Sequence, residues 1–471
     1  MRLRHLVLLS TFLLGSVLAP GLRAGDYTAL DRYVAAPDAS YRYTLVRTLK
    51  YPGLTAYQLD MVSQTWRTAA EVDRPEWHHW LTIYKPDQVT TSTALLLIDG
   101  GSNSSTPPTP DATTLLLAAS AGSIVADLGQ VPNEPLTFAG EGHSRSEDAI
   151  IAYTWAKFLA GGDEKWPARL PMTKAAVRGM DTVTAFLASL SGSPVAVKNF
   201  VVTGGSKRGW TTWSVAEVDP RVIAIAPIVI DTLNVQEVFL SQFRALGFWA
   251  PAVQDYVDAG VMNWFNTPRM EALLDIEDPY RYLGRLALPS FQTNSTGDQF
   301  FPPDSPRYFF SDVPGEKYLR FVPNTDHGMA SVDAAFNLLS WFHAVTQNFP
   351  RPRFHWTADA QNGAMSVRAV DTPTKVVLWQ ATNHSARDFR LETIGAAWSS
   401  TTLTGTNGIY TVNLPKPGSG WTAFLVELTF PGPSDTPLVF TTEVVITPDV
   451  YPFTAPGAVR PPVRRPLPIP R

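Results

Sequence analysis

Residues 199–213 read Asn199-Phe200-Val201-Val202-Thr203-Gly204-Gly205-Ser206-Lys207-Arg208-Gly209-Trp210-Thr211-Thr212-Trp213, and their order decides the fold. An apolar strand over 199–203 runs into two glycines, a serine stands at the turn, and a helix is predicted over 207–218. A nucleophile elbow needs this arrangement: the serine sits in a strained turn, and small neighbours let strand and helix approach. The hydroxyl then projects from the sheet edge at a helix N-terminus, whose free N–H groups favour an oxyanion. The usual spacing is G-x-S-x-G. Here Arg208 takes the second small position and Gly209 follows one residue later. A phosphate loop is the competing reading of Ser206-Lys207, but no G-x-x-x-x-G-K-[ST] is present and the serine precedes the lysine.

Working outward, strand-like and helix-like segments alternate from about 80 to 350. Thr93–Ile98 is a continuous apolar run, as a parallel strand buried on both faces requires. Further strands are predicted over 122–128, 222–230, 287–293 and 318–322, and helices over 147–159, 173–190 and 331–347. This pattern predicts an α/β chain over 25–350, an α/β-hydrolase-like, mostly parallel sheet with helices on both faces. From about 232 to 286 the alternation stops and aromatics accumulate, among them Phe239, Phe243, Phe248, Trp249, Tyr256, Trp264 and Phe265. That segment is expected to form a helical cap over the C-terminal edge of the sheet. Trp249 and Trp264 are its candidates for lining a substrate pocket, against the competing role of packing the cap.

Over 351–454 short strands are predicted at 354–356, 364–370, 375–381, 389–392, 408–412, 422–429 and 439–447, with turn residues between them and no helix. The expectation is a separate all-β sandwich. Residues 455–471, rich in Pro and Arg, read as a disordered tail.

Composition narrows the function. A net charge of −4 over 471 residues gives no basic excess for nucleic acid. Arg2, Arg4 and His5 precede a short apolar stretch from Leu6 to Ala19, and Leu22-Arg23-Ala24 follows before Gly25, which predicts a signal peptide over 1–24 and a secreted or periplasmic protein. No membrane span is expected after its removal. The chain has no Cys, which excludes disulfides, thiolate catalysis and zinc–thiolate sites.

A serine nucleophile needs a base and an orienting acid, each placed after a later strand. His327 follows the strand predicted at 318–322, whereas His343, His355 and His384 lie in a helix or the β-rich region. Asp298 follows the preceding strand and is the expected acid; Asp231 is the alternative and Asp326 a weaker one. The oxyanion donors expected are the Lys207 N–H and the Gly100–Gly101 loop, whose glycines also fit a plain turn. The cluster Glu141-Gly142-His143-Ser144-Arg145-Ser146-Glu147-Asp148 has acids suited to capping the next helix. Arg145 within it is a candidate substrate contact. No H-E-x-x-H spacing occurs, so neither metal nor organic cofactor is expected.

These blocks, together with Leu170-Pro171-Met172-Thr173-Lys174-Ala175-Ala176-Val177-Arg178, Asp219-Pro220-Arg221-Val222 and Gly297-Asp298-Gln299-Phe300-Phe301, resemble the PhoPQ-activated pathogenicity-related protein family. The resemblance spans nearly the whole mature chain and implies an exported α/β-hydrolase-like protein, leaving the reaction open. The elbow is also similar to the G-C-S-R-x-G of glucuronoyl esterases, with Gly205 in place of their Cys and Lys207 where their Arg supports the oxyanion. The expected function is an exported serine esterase acting on a small-molecule or carbohydrate ester. A secreted peptidase, or an inactive binding or signalling protein on the same scaffold (motivated by Arg208 in the elbow), are the alternatives.

Overall fold

The computed structural model describes residues 27–433 and 436–456; the expected signal segment and residues 457–471 of the expected tail lie outside them. At its centre the strands Val125–Leu128, Thr93–Ile98, Asn199–Gly205, Val222–Ile228, Ser290–Ser295 and Lys317–Val322 lie side by side and parallel. They are the α/β-hydrolase-like sheet that the alternation predicts. Thr93–Ile98 and Val222–Ile228 are buried on both faces, because helices cover both sides. The helix Lys207–Val218 has the bounds expected, and Arg169–Ala188 starts earlier than expected. Its Pro171 sits in the first turn, where a missing N–H breaks no helical bond.

The sheet is wider than expected at both edges. Arg42–Tyr51, Leu54–Thr65 and Glu76–Pro86 form an antiparallel meander that joins Val125–Leu128. At the other edge Lys317–Val322 pairs antiparallel with Leu438–Thr441, which continues through Trp421–Phe430 and Lys375–Asn383 to Ser399–Thr402. One sheet of 14 strands results among the described residues.

The expected C-terminal β region is present, and its larger sheet is continuous with the parallel one. A second sheet, Phe354–Asp359, Ala364–Ala369 and Ile409–Asn413, does pack on the C-terminal strands. Their core, however, is shared with the hydrolase part. Phe440 stacks on Tyr318 at 4.2 Å and meets Phe291 edge-on at 5.4 Å, in one cluster with Trp341, Met365 and Phe424. Two strand expectations also change. The stretch 389–392 leads into the short helix Leu391–Ile394, and 439–447 is broken into Leu438–Thr441 and Val445–Thr447.

Between Val222–Ile228 and Ser290–Ser295 the chain forms the expected helical cap, built on Val235–Leu246 and Pro268–Glu277 with short turns between. Phe239 holds it together, edge-on to Tyr256 at 5.8 Å and to Phe265 at 6.2 Å.

Candidate active site

Ser206 joins the strand Asn199–Gly205 to its helix at φ 55° and ψ −123°, a strained backbone for any residue with a Cβ. Its N–H donates to Ile228 O at 2.8 Å, which ties the turn to the neighbouring strand. Two glycines make the turn possible. A Cβ on Gly204 would lie 2.9 Å from both Arg208 Cβ and Ile98 O, and one on Gly209 would lie 2.7 Å from Ile230 Cγ2. Gly209 therefore provides the close approach that the usual motif assigns to the residue before it, and position 208 is free to carry a side chain.

Arg208 uses that freedom to clamp the elbow. Its guanidinium donates to both Glu147 oxygens, at 2.9 and 2.7 Å, and to Val131 O at 2.5 Å. Lys207 Nζ lies 2.6 Å from Glu147 and 3.0 Å from Asp148. Glu147 is itself strained, at φ 53° and ψ −130°, and its side chain caps no helix. The capping role expected of this acidic cluster is thus replaced by charge pairing across to the elbow. Although burial raises it, Glu147 is held well below the usual carboxylate range by Arg208 and Lys207. Glu134, whose carboxylate accepts the Glu147 N–H at 2.7 Å, is pushed up to about 7 by burial.

His327 and Asp298 stand at the ends of adjacent parallel strands. His327 Nε2 is 2.8 Å from Ser206 Oγ, and its Nδ1 is 2.8 Å from Asp298 Oδ2. The other Asp298 oxygen accepts from the Phe300 and Phe301 N–H groups at 2.7 and 3.3 Å, and the Phe300 ring leans on the imidazole at 4.3 Å. Gln299 Oε1 fixes the His327 backbone N–H at 2.9 Å. The structure thus brings Ser206, Asp298 and His327 together.

The loops that carry the acid and the histidine rest on the C-terminal β region. Leu391 N–H donates to Gly297 O at 3.0 Å, and Gly297 N–H to Thr325 O at 3.0 Å. The Asn324 side chain exchanges two hydrogen bonds with the backbone of Trp398, at 3.0 and 2.9 Å. Beside them Arg387, fully buried, pairs with buried Asp304 at 2.6 Å. None of these braces was expected from the sequence.

Several expected roles fall elsewhere. Asp231 makes no hydrogen bond through either carboxylate oxygen, and burial pushes it far above the usual range, with Asp298, Asp304 and Glu443 adding to the shift. Asp326 accepts from the Gly328 N–H at 3.0 Å and forms a turn. Gly100 N–H is taken by Asp99 Oδ1 at 2.7 Å, and a Cβ there would strike the Arg208 guanidinium at 2.5 Å. The loop therefore seats Arg208 and does not offer the Gly100 N–H. Gly101 follows at φ 104°. Lys207 begins the helix, where a first-turn N–H has no partner within it. Arg145 is bound to Glu141 at 2.5 and 2.9 Å and lies over Tyr153. Trp249 packs on Phe243 and Phe265, and Trp264 against the cap core.

A small cavity of about 20 Å³ opens beside Ser206. Trp210 from the elbow helix, Phe239 and Tyr256 from the cap, Phe300 from the acid loop and the buried Arg169 line it. The cap thus reaches Ser206 through Phe239 and Tyr256, and not through Trp249 or Trp264.

The sequence profile of PhoPQ-activated pathogenicity-related proteins matches residues 30–390. The chain belongs to that family. A relative of this family member is autocrine proliferation repressor protein A of Dictyostelium discoideum, 38% identical over 456 residues, which are 90% of this chain and 92% of the relative. Solved structures similar to the family member include acetyl xylan esterases from Paenibacillus sp. R4 and Thermoanaerobacterium sp. JW/SL YS485. Each is 15% identical and covers 67% of this chain, with TM-scores of 0.48 and 0.46 and 92% and 91% of the other chain covered. No helix of the described residues is long and apolar enough to cross a membrane.

Proposed function

We propose that this protein is an exported serine hydrolase that cleaves a small-molecule or carbohydrate ester through Ser206, His327 and Asp298. The observation that carries the reading is the continuous contact from Asp298 through His327 to Ser206, 2.8 Å at each step, ending on a strained serine. With its Nδ1–H given to Asp298, His327 turns the Nε2 lone pair to the hydroxyl. Ser206 Oγ attacks the ester carbonyl as its proton passes to Nε2, and the Lys207 N–H faces the resulting oxyanion. The C–O bond to the alcohol then breaks, and His327 returns the proton to the departing oxygen. Water, deprotonated by the same nitrogen, hydrolyses the acyl-serine to a carboxylic acid and frees Ser206.

Arg208 does not argue for an inactive scaffold, because its guanidinium is engaged by Glu147 and Val131. Labelling of the purified mature protein with a fluorophosphonate tests the proposal. Wild type is expected to label at one site, and Ser206→Ala and His327→Ala to label not at all. A folded wild type that resists the probe would refute it. Export rests on the basic and apolar start of the chain, and is checked by an N-terminus near Gly25 on protein recovered outside the cytoplasm.

A further inference from the structure

Three cations stand around the candidate nucleophile, and two are matched. Lys207 meets Glu147 and Asp148, and Arg208 meets Glu147. Arg169 is the exception. Its residue is 3% exposed, yet it forms no ion pair with any described carboxylate. Its guanidinium carbon lies over the Trp210 ring at 3.7 Å, and Nη1 donates to Lys207 O at 3.3 Å, while Nε has no partner among the described residues. Tyr256, Glu277 and Asp148 act on it from further off, and the Tyr256 hydroxyl also offers a hydrogen bond. Tyr256 spends its own proton on Asp148, at 2.9 Å. Glu277 turns its oxygens to the Trp155 indole N–H and the Arg169 backbone N–H, so neither oxygen serves the guanidinium.

A buried cation costs several kcal/mol unless an anion or a full set of acceptors meets it. Arginine only donates, so the missing partner must accept. The place of that partner is given by the cavity, which Arg169 and Ser206 line together. Thr232 lines it too, with a buried hydroxyl that has no partner. The other walls include Trp155, Trp210, Phe239 and Phe300, which suit a short carbon chain, and the Asp148 carboxylate, which is already met by Lys207 and Tyr256.

We propose that Arg169 is a specificity-determining residue that binds a carboxylate on the acyl part of the substrate, so that the preferred esters are half-esters of short dicarboxylic acids. The inference rests on the serine hydrolase reading above. The acyl chain runs from the carbon attacked by Ser206 into the cavity, and its far carboxylate accepts from the guanidinium, with the Thr232 hydroxyl as a second donor.

The test compares methyl hydrogen malonate with methyl isovalerate, an uncharged ester of nearly the same acyl shape, by acid release on the full-length mature protein. Wild type is expected to favour the malonate by about 10- to 100-fold in kcat/KM, the range of a hydrogen bond to a charged partner. Arg169→Gln is expected to bring that ratio close to one, and Arg169→Lys to keep part of it. A merely structural Arg169 would lower both rates together and leave the ratio in place. Equal rates, or faster cleavage of isovalerate by wild type, overturn the assignment without recourse to any variant. Fluorophosphonate labelling of the same preparation separates the two failures. A labelled enzyme without the preference refutes the role of Arg169, and an unlabelled one refutes the hydrolase reading.

Discussion

Ser206 and His327 meet at 2.8 Å, but the two sides of that contact are held by different parts of the chain. The elbow is built locally. Its turn depends on Gly204 and Gly209, which admit no Cβ, and on the buried Arg208 that ties it to Glu147 and Val131. The acid and histidine loops are held from a distance by Leu391, Trp398 and the Arg387–Asp304 pair, all in or against the C-terminal β region. Ser206 is therefore fixed by short-range sterics, and His327 and Asp298 by a region far along the chain. A change should act on one side before the other.

The largest effect is expected at the elbow. Gly204→Val would press a branched side chain against Ile98 O and Arg208 Cβ, neither of which can yield. Loss of folded protein is expected, seen in circular dichroism; native-like spectra with normal probe labelling would show that the elbow is looser than its contacts imply. On the distal side, Arg387→Leu leaves buried Asp304 with Arg307 alone, 3.5 Å away. A loss of about 3 kcal/mol in urea unfolding is expected, and an unchanged midpoint would mean that the pair braces nothing.

Acidity sharpens the contrast. Glu277, beneath the elbow helix, is pushed up to about 7 by burial, against which Arg169 and the Trp155 N–H pull it down. The folded protein therefore holds this proton between pH 4.5 and 7 while the unfolded chain releases it. The stability so contributed is complete below the unfolded value and is lost as pH rises through about 7, up to about 3 kcal/mol. Glu134 adds a parallel decline of its own. Glu277→Gln should flatten the stability–pH curve across that window relative to wild type, and curves that stay parallel would contradict the assignment. The smallest effect belongs to Asn324→Ala, which strips two bonds from the Trp398 backbone. About 1–3 kcal/mol of stability should be lost, with labelling of Ser206 slowed several-fold. Faster labelling than wild type would show that the distal brace restrains the histidine instead of presenting it.

The sequence made Ser206, Asp298 and His327 legible as a set because strand alternation fixes which residues reach one edge of a parallel sheet. The same logic could not choose among the cap aromatics. Which of them faces Ser206 depends on how the insertion folds back: Phe239 and Tyr256 do, and the expected Trp249 and Trp264 do not. Glu147 read as a helix cap because an acid before a helix is usually one; its strained backbone leaves no trace in composition. The N-terminal meander lies ahead of the strand–helix alternation that marks the parallel sheet, and although Arg42–Tyr51 spaces Tyr43, Leu45, Leu49 and Tyr51 at the period of a strand, nothing in it says which sheet edge it joins. Seven short β-segments suggested an independent sandwich, since a strand's own residues do not say which sheet it will join.

That joining has a further consequence. Lys317–Val322 is almost wholly buried and flanked on one side by Leu438–Thr441. A protein cut after Pro350 would leave its outer row of N–H and C=O groups bare, together with the aromatic surface of Tyr318 and Phe291. Such a flat, unpaired strand is a template for other chains. Such a truncated protein is thus expected to emerge as aggregate, and co-expression of residues 351–456 as a separate chain should recover soluble protein by closing that edge.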